Sequence, residues 1–215
     1  MEEISNKKKT LVFAGYVSIA GAVSMLAGAA LWGASATDLW QALANNQMES
    51  HLAQLEPVKQ LLVANTIFWI LGVLLLGTAV SLMSGFCSSN PRMAQLTLVF
   101  IRSAVPIAIV SFIIMLSLAI HPPAVDSANN IGWIGVRLDG LATVLIIGTS
   151  PLFLSIGGRT DWVPGWLAVW GYLAGIAGLL VVIGMLTGVV DLEFFIIPFG
   201  IGWMIAAGVV LIRKK

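Results

Sequence analysis

The chain carries few ions and little reactive chemistry. Asp, Glu, Lys and Arg make up 10% of its 215 residues, against roughly 25% in a soluble domain, too few to cover a surface facing water. Cys87 is the single cysteine, which excludes an intrachain disulfide scaffold. His51 and His121 are the two histidines, and no HExxH, HxxxH or cysteine cluster supplies metal-ligand spacing. Neither histidine lies well inside an apolar run, which argues against bis-histidine haem. No serine has a companion base at readable spacing, and no glycine-rich phosphate loop is present. A formal net charge of +1 gives nucleic acid nothing to hold. The expectation is a protein without catalytic, cofactor-binding or metal-binding residues, and not an enzyme.

Apolar length is what the chain has in abundance. Hydrophobic types reach 59% and mean hydropathy is +0.98. A helical membrane span needs about 20 mostly apolar residues, and six runs qualify: 11–32, 61–83, 94–120, 136–156, 166–189 and 194–212. None shows the ten-residue alternation of a membrane barrel, and lipid obliges a spanning backbone to bond to itself. The predicted fold is therefore all-α, a single polytopic helix bundle over 1–215. The run 11–32, with Lys7–Lys9 before it and Ala34-Ser35-Ala36 after it, imitates a cleavable signal sequence, but it exceeds the roughly 7–15 residues of a signal core.

Orientation follows from the basic residues. One side collects Lys7, Lys8, Lys9, Arg92, Arg159, Arg213, Lys214 and Lys215; the other has Lys59, with Arg137 at the mouth of the fourth span. Both termini are predicted to be cytoplasmic. The longest connection, 33–60, places Leu39, Leu43, Met48, Leu52 and Leu55 at helical spacing, with Asp38 as N-cap, Gln41 in capping-box position and Asn45-Asn46 as a break. It reads as an amphipathic segment resting on the outer leaflet, or as a lid. His121-Pro122-Pro123 ends the third span, and Asp126 to Asn130 reads as a polar turn.

Gly171, Gly175 and Gly178 form a small-residue seam on the fifth span, suited to close helix packing within the chain or to self-association. Trp162, Trp166 and Trp170 on one side, and Trp32, Trp40 and Trp133 on the other, read as interfacial belts; Trp69 and Trp203 read as packing residues. Among intramembrane polar residues, Arg102 with Pro106 one turn later, and Asp139 on the next span, form the candidate pair, because a buried charge is costly alone. Pro106 and Pro198 also allow an inverted three-plus-three repeat.

Three stretches resemble a known family: Thr97-Leu98-Val99-Phe100-Ile101-Arg102, Thr160-Asp161-Trp162-Val163-Pro164-Gly165-Trp166-Leu167-Ala168-Val169-Trp170-Gly171, and the last span with Pro198. They are similar to the DUF4386 type, small bacterial membrane proteins of about six helices with no assigned activity. The resemblance implies the bacterial inner membrane. Where that family often has an acid soon after the third-helix arginine, this chain has Ser103, Ala104, Val105 and Pro106, which turns attention to Asp139 as the partner of Arg102. The functional expectation is a non-enzymatic accessory or structural membrane protein, surrounded by lipid and associating with other membrane subunits or itself. The alternative is a small transporter or channel-like protein with a polar path at Arg102 and Asp139.

Overall fold

The computed structural model describes residues 2–214, and not the side chains of residues 2–5, 190, 191 and 193; Lys215 and the side chains of Asp191 and Glu193 lie outside the described residues. Helices α1 (Glu2–Ser35), α2 (Leu39–Ala44), α3 (Met48–Leu55), α4 (Lys59–Ser84), α5 (Pro91–Ile120), α6 (Val125–Thr143), α7 (Ser150–Gly157), α8 (Gly165–Thr187) and α9 (Ile196–Arg213) follow in order. A π turn, Val144–Thr149, joins α6 to α7 into one span. Among the described residues, six helical spans are long and apolar enough to cross a membrane.

Local chemistry sets the ends. The Asn90 side chain accepts from the Met93 amide and Pro91 starts α5, where its missing N–H costs nothing. Gly188, at φ 75°, closes α8 in the left-handed conformation that glycine adopts without penalty. Asp38 Oδ1 accepts from the Gln41 amide at 3.0 Å and caps α2 as expected, and Asn46 at φ 54° breaks α2 from α3.

The six spans form a closed ring. Each packs on its sequence neighbour, and α1 closes the circuit against α9. Lipid offers no hydrophobic push between helices, so close approach and polar contacts must hold them. Glycine supplies the first: a Cβ on Gly15 would stand 2.6 Å from the Gly208 carbonyl oxygen, and one on Gly208 would stand 2.7 Å from that of Gly15. Short side chains supply the second. Ser18 donates to the Met204 carbonyl at 2.7 Å (α1 to α9), and Ser24 to Phe68 and Gly28 from Asn65, both at 2.8 Å, bind α1 to α4. Ser111 donates to Gly135 at 2.9 Å (α5 to α6), and the Trp203 indole to Leu167 at 3.0 Å (α9 to α8). The first helix is thus built into the ring at three levels. The Gly171–Gly175–Gly178 seam also works inside the chain: it packs on Ser155, Leu152 and Gly148 of the preceding span.

Several boundaries differ from the sequence expectations. The fourth span begins at Val125, not 136, so Asp126 to Asn130 are helical rather than a turn. Buried Ala128 and Gly132 explain this: a Cβ on Gly132 would stand 3.2 Å from side-chain atoms of Leu43 and Met48 on α2 and α3. Segment 33–60 folds back on the bundle: its two helices bury Leu39, Trp40, Leu43, Met48 and Leu55, and the first four join Leu118, Ala128 and Val136 in a second core. Pro198 sits in the first turn of α9, whereas Pro106 lies inside α5, so the two prolines do not correspond as a repeat would require.

The end of the ring that carries both termini is clasped by Asp161. Its carboxylate accepts from Ser88 Oγ at 2.9 Å and from the Ser89 amide and Oγ at 3.0 and 2.8 Å, while its carbonyl accepts from Lys214 Nζ at 3.0 Å. The Ser89 amide bond, then the two hydroxyls and the Lys7 charge, hold its pKa below the ordinary carboxylate value. A depressed folded-state pKa stabilises above the unfolded value and is lost as pH falls through the folded one. Asp161→Asn should therefore lower Tm in detergent near neutral pH, with the gap to the wild type closing in acid. A gap that stays constant with pH would contradict the clasp.

Candidate functional site

At the opposite, distal end the ring is not filled. A cavity of about 130 Å³ lies among α1, α4, α5, α6 and α9 under α2. It exists because α1 and α9 meet at the Gly15–Gly208 contact near the termini, and large rings occupy the distal end instead of a closed seam. Trp69 crosses Gly28, where a Cβ would collide with the indole, and packs on Phe112 at a centroid separation of 5.2 Å. Trp32 stacks on Phe194 at 6.2 Å and 16°, and meets Trp40 edge-on at 5.6 Å and 70°. Trp40, the roof, is carried by α2, whose position follows from the Asp38 cap and the second core.

Asp139, Gly140 and Thr143 of α6 form the polar part of the wall. Asp139 is half-buried. Its height is set by the Ser111–Gly135 bond and, below it, by the π turn. Pro151 has no N–H to give the Ile147 carbonyl four residues earlier, so the helix widens by one residue. Ser150 takes up the slack, donating from both its amide and its hydroxyl to the Leu145 carbonyl. Gly200 of α9 fits against the Ile147 carbonyl, where any side chain would collide.

The rim reaches the lipid-facing surface. Leu26 of α1 is 43% exposed, Phe194 39% and Ile197 of α9 37%, and all three line the cavity. A second space of about 50 Å³ shares Trp32, Trp40 and Trp69 with the first and contains His51 and Asn65.

Arg102 and Asp139 line different spaces. With Ser111 level with Gly135, Asp139 lies level with residue 107, and Arg102 is a further five residues, about 7 Å, toward the termini. Arg102 is also exposed. It opens onto an external groove of about 410 Å³ between α4 and α5 with Thr78, Ser81 and Pro106, whereas Asp139 faces the interior cavity.

The tryptophans read as belts differ in their surroundings. Trp162 is 3% exposed and packs edge-on against Trp203 in the core, while Trp32 and Trp40 belong to the cavity. Trp133 lies beneath the Arg137 guanidinium at 4.9 Å, a cation–π contact one helical turn apart. His51 is buried in α3, and His121 is exposed at the end of α5. Cys87 is buried, and burial pushes its thiol up to about 11, so it is a poor reporter of sidedness.

No family model, curated protein or solved structure matches this chain.

A double-mutant cycle on the purified protein tests the Arg102–Asp139 pair: pairing makes the loss of both cost less stability than the sum of Arg102→Ala and Asp139→Ala, and strictly additive effects rule it out.

Proposed function

We propose that this is a non-enzymatic, multi-pass protein of the bacterial inner membrane, of the DUF4386 type suggested by its sequence, that binds a small organic molecule in its distal cavity. This is the transporter-like alternative rather than the accessory subunit. The observation that carries it is the cavity: a ring bundle that only filled space would close over it, yet three tryptophans and an aspartate are held around it. Its 130 Å³ is close to the volume of about 150 Å³ at which an engineered apolar cavity takes up benzene. The rim between α1 and α9 supports access from the bilayer, and the docked α2 supports a roof over the site. The charge asymmetry supports cytoplasmic termini, which leaves the cavity in the outer half of the membrane.

A panel of neutral and charged organic solutes of about benzene size tests the reading by thermal unfolding of the detergent-purified protein. At least one should raise Tm, and Ala29→Leu, which fills the cavity from α1, should abolish that rise. A panel without effect, or an effect that survives Ala29→Leu, would overturn it. Sidedness is tested in a Cys87→Ala background: Gln54→Cys should label with an impermeant maleimide in intact cells and Lys8→Cys should not. The reverse pattern would invert the topology.

A further inference from the structure

We propose that the groove between α4 and α5 holds an anionic phospholipid of the leaflet at the termini end, its headgroup phosphate on the Arg102 guanidinium and its upper acyl chain along Leu74 and Pro106. The site lies in the half of the bundle nearer the termini, so it stands or falls separately from the distal cavity.

Depth selects the kind of ligand first. Helix α5 has 30 residues, about 45 Å at 1.5 Å per residue, and a hydrocarbon core is about 30 Å thick. With the helix centred, the core begins near residue 96, and the Arg102 backbone stands roughly 9 Å inside it. A helical side chain leans toward the N-terminus of its own helix. The Arg102 fork is therefore carried back toward the edge at the termini end, where lipid phosphates lie. A cation at that depth is costly without a counter-charge. Phosphate meets guanidinium through two parallel charge-assisted hydrogen bonds, and the five N–H donors of the group serve a phosphate whatever else one of them touches.

The groove then has the polarity order of a lipid. A Cβ on Gly77 would stand 2.6 Å from Val105 Cγ2, so the two antiparallel helices touch there, and Arg102, three residues nearer the termini, comes level with Ser81. Ser81 and Arg102 thus lie toward the headgroups, and Leu74 and Pro106 toward the bilayer centre. Among the described residues that line the groove, Arg102 is the ionisable one, and no carboxylate shares the wall. The Thr78 and Ser81 hydroxyls donate to the Leu74 and Gly77 carbonyls of their own helix at 2.8 and 2.7 Å, which leaves the guanidinium as the charged donor. Leu74 is 46% exposed, and Arg102 and Pro106 are exposed, so the groove opens sideways to lipid. Its volume of about 410 Å³ exceeds twice the roughly 150 Å³ that admits benzene, room for a phosphate and the first chain carbons. A choline headgroup brings its own cation up to Arg102, so a net-negative headgroup is the better match.

Native mass spectrometry of the protein released from dodecyl maltoside micelles tests this. Dioleoyl phosphatidylglycerol is the probe, and dioleoyl phosphatidylcholine is its zwitterionic counterpart with the same chains. The wild type should bind a first phosphatidylglycerol at least about fivefold more tightly than phosphatidylcholine, and inorganic phosphate should not displace it. Arg102→Gln should remove that preference, and so should Thr78→Trp, which fills the groove and leaves the arginine in place. Arg92→Gln, which removes an exposed charge at the start of α5 outside the groove, should leave the preference unchanged. Should Arg102→Gln not fold, Thr78→Trp and Arg92→Gln decide. Equal affinity for the two lipids, a preference that survives Arg102→Gln or Thr78→Trp, or its loss in Arg92→Gln would overturn the site. Displacement by inorganic phosphate would overturn the lipid assignment in favour of a soluble anion.

Discussion

The architecture depends on how one helix backbone can touch another where surrounding apolar tails give no reason to associate. This chain solves the problem with groups that end almost at the backbone. Gly15 and Gly208 allow α1 and α9 to meet carbonyl to Cα, and Gly171, Gly175 and Gly178 do the same for α8 against the π turn and α7. Ser18, Ser24, Asn65 and Ser111 then each donate to a carbonyl of the facing helix. In a low-dielectric interior such a bond is stronger than in water, and leaving its donor unmet costs more. Register is fixed by these bonds, because a slide of one residue leaves a hydroxyl facing a side chain.

The cavity follows from where that solution is not applied. Toward the termini the ring interior is filled by Trp203, Met204, Leu154 and Leu167, all fully buried. Toward the distal end the small residues are set against large rings, and planar side chains that bridge a ring of six helices leave space between them. The π turn tunes the same region. It places Ile147 on the cavity wall and opens its carbonyl to Gly200, so Pro151, a residue outside the cavity, contributes to its shape. Asp161 stands at the other end of the molecule, where it joins the loops 85–90 and 158–164 to Lys214.

Class and span number were legible because twenty apolar residues in a row have few other meanings. The Asp38 cap and the Asn45-Asn46 break were legible because each is local chemistry. The early start of α6 was not, since Asp126, Ser127, Asn129 and Asn130 read as a turn unless Ala128 and Gly132 are known to dock on Leu43 and Met48. Arg102 and Asp139 were both picked out as costly polar residues; which space each one lines depends on helix rotations that no spacing encodes. Trp32, Trp40 and Trp69 stood in the sequence as belt and packing residues. Their convergence on Asp139 depends on α2 folding back, a tertiary event; the hint available was the amphipathic pattern of 33–60 beside an intramembrane acid. Ser150-Pro151 within an apolar run was the overlooked sign of a widened turn.

The Gly15–Gly208 crossing has a mechanical corollary. Leu26 and Ile197, which flank the mouth on α1 and α9, each stand eleven residues beyond their glycine, a lever arm of about 16 Å at 1.5 Å rise per residue. A tilt of about 5° between the two rods about this crossing moves each tip by roughly 1.4 Å. The width of the mouth therefore follows the angle at which α1 and α9 cross.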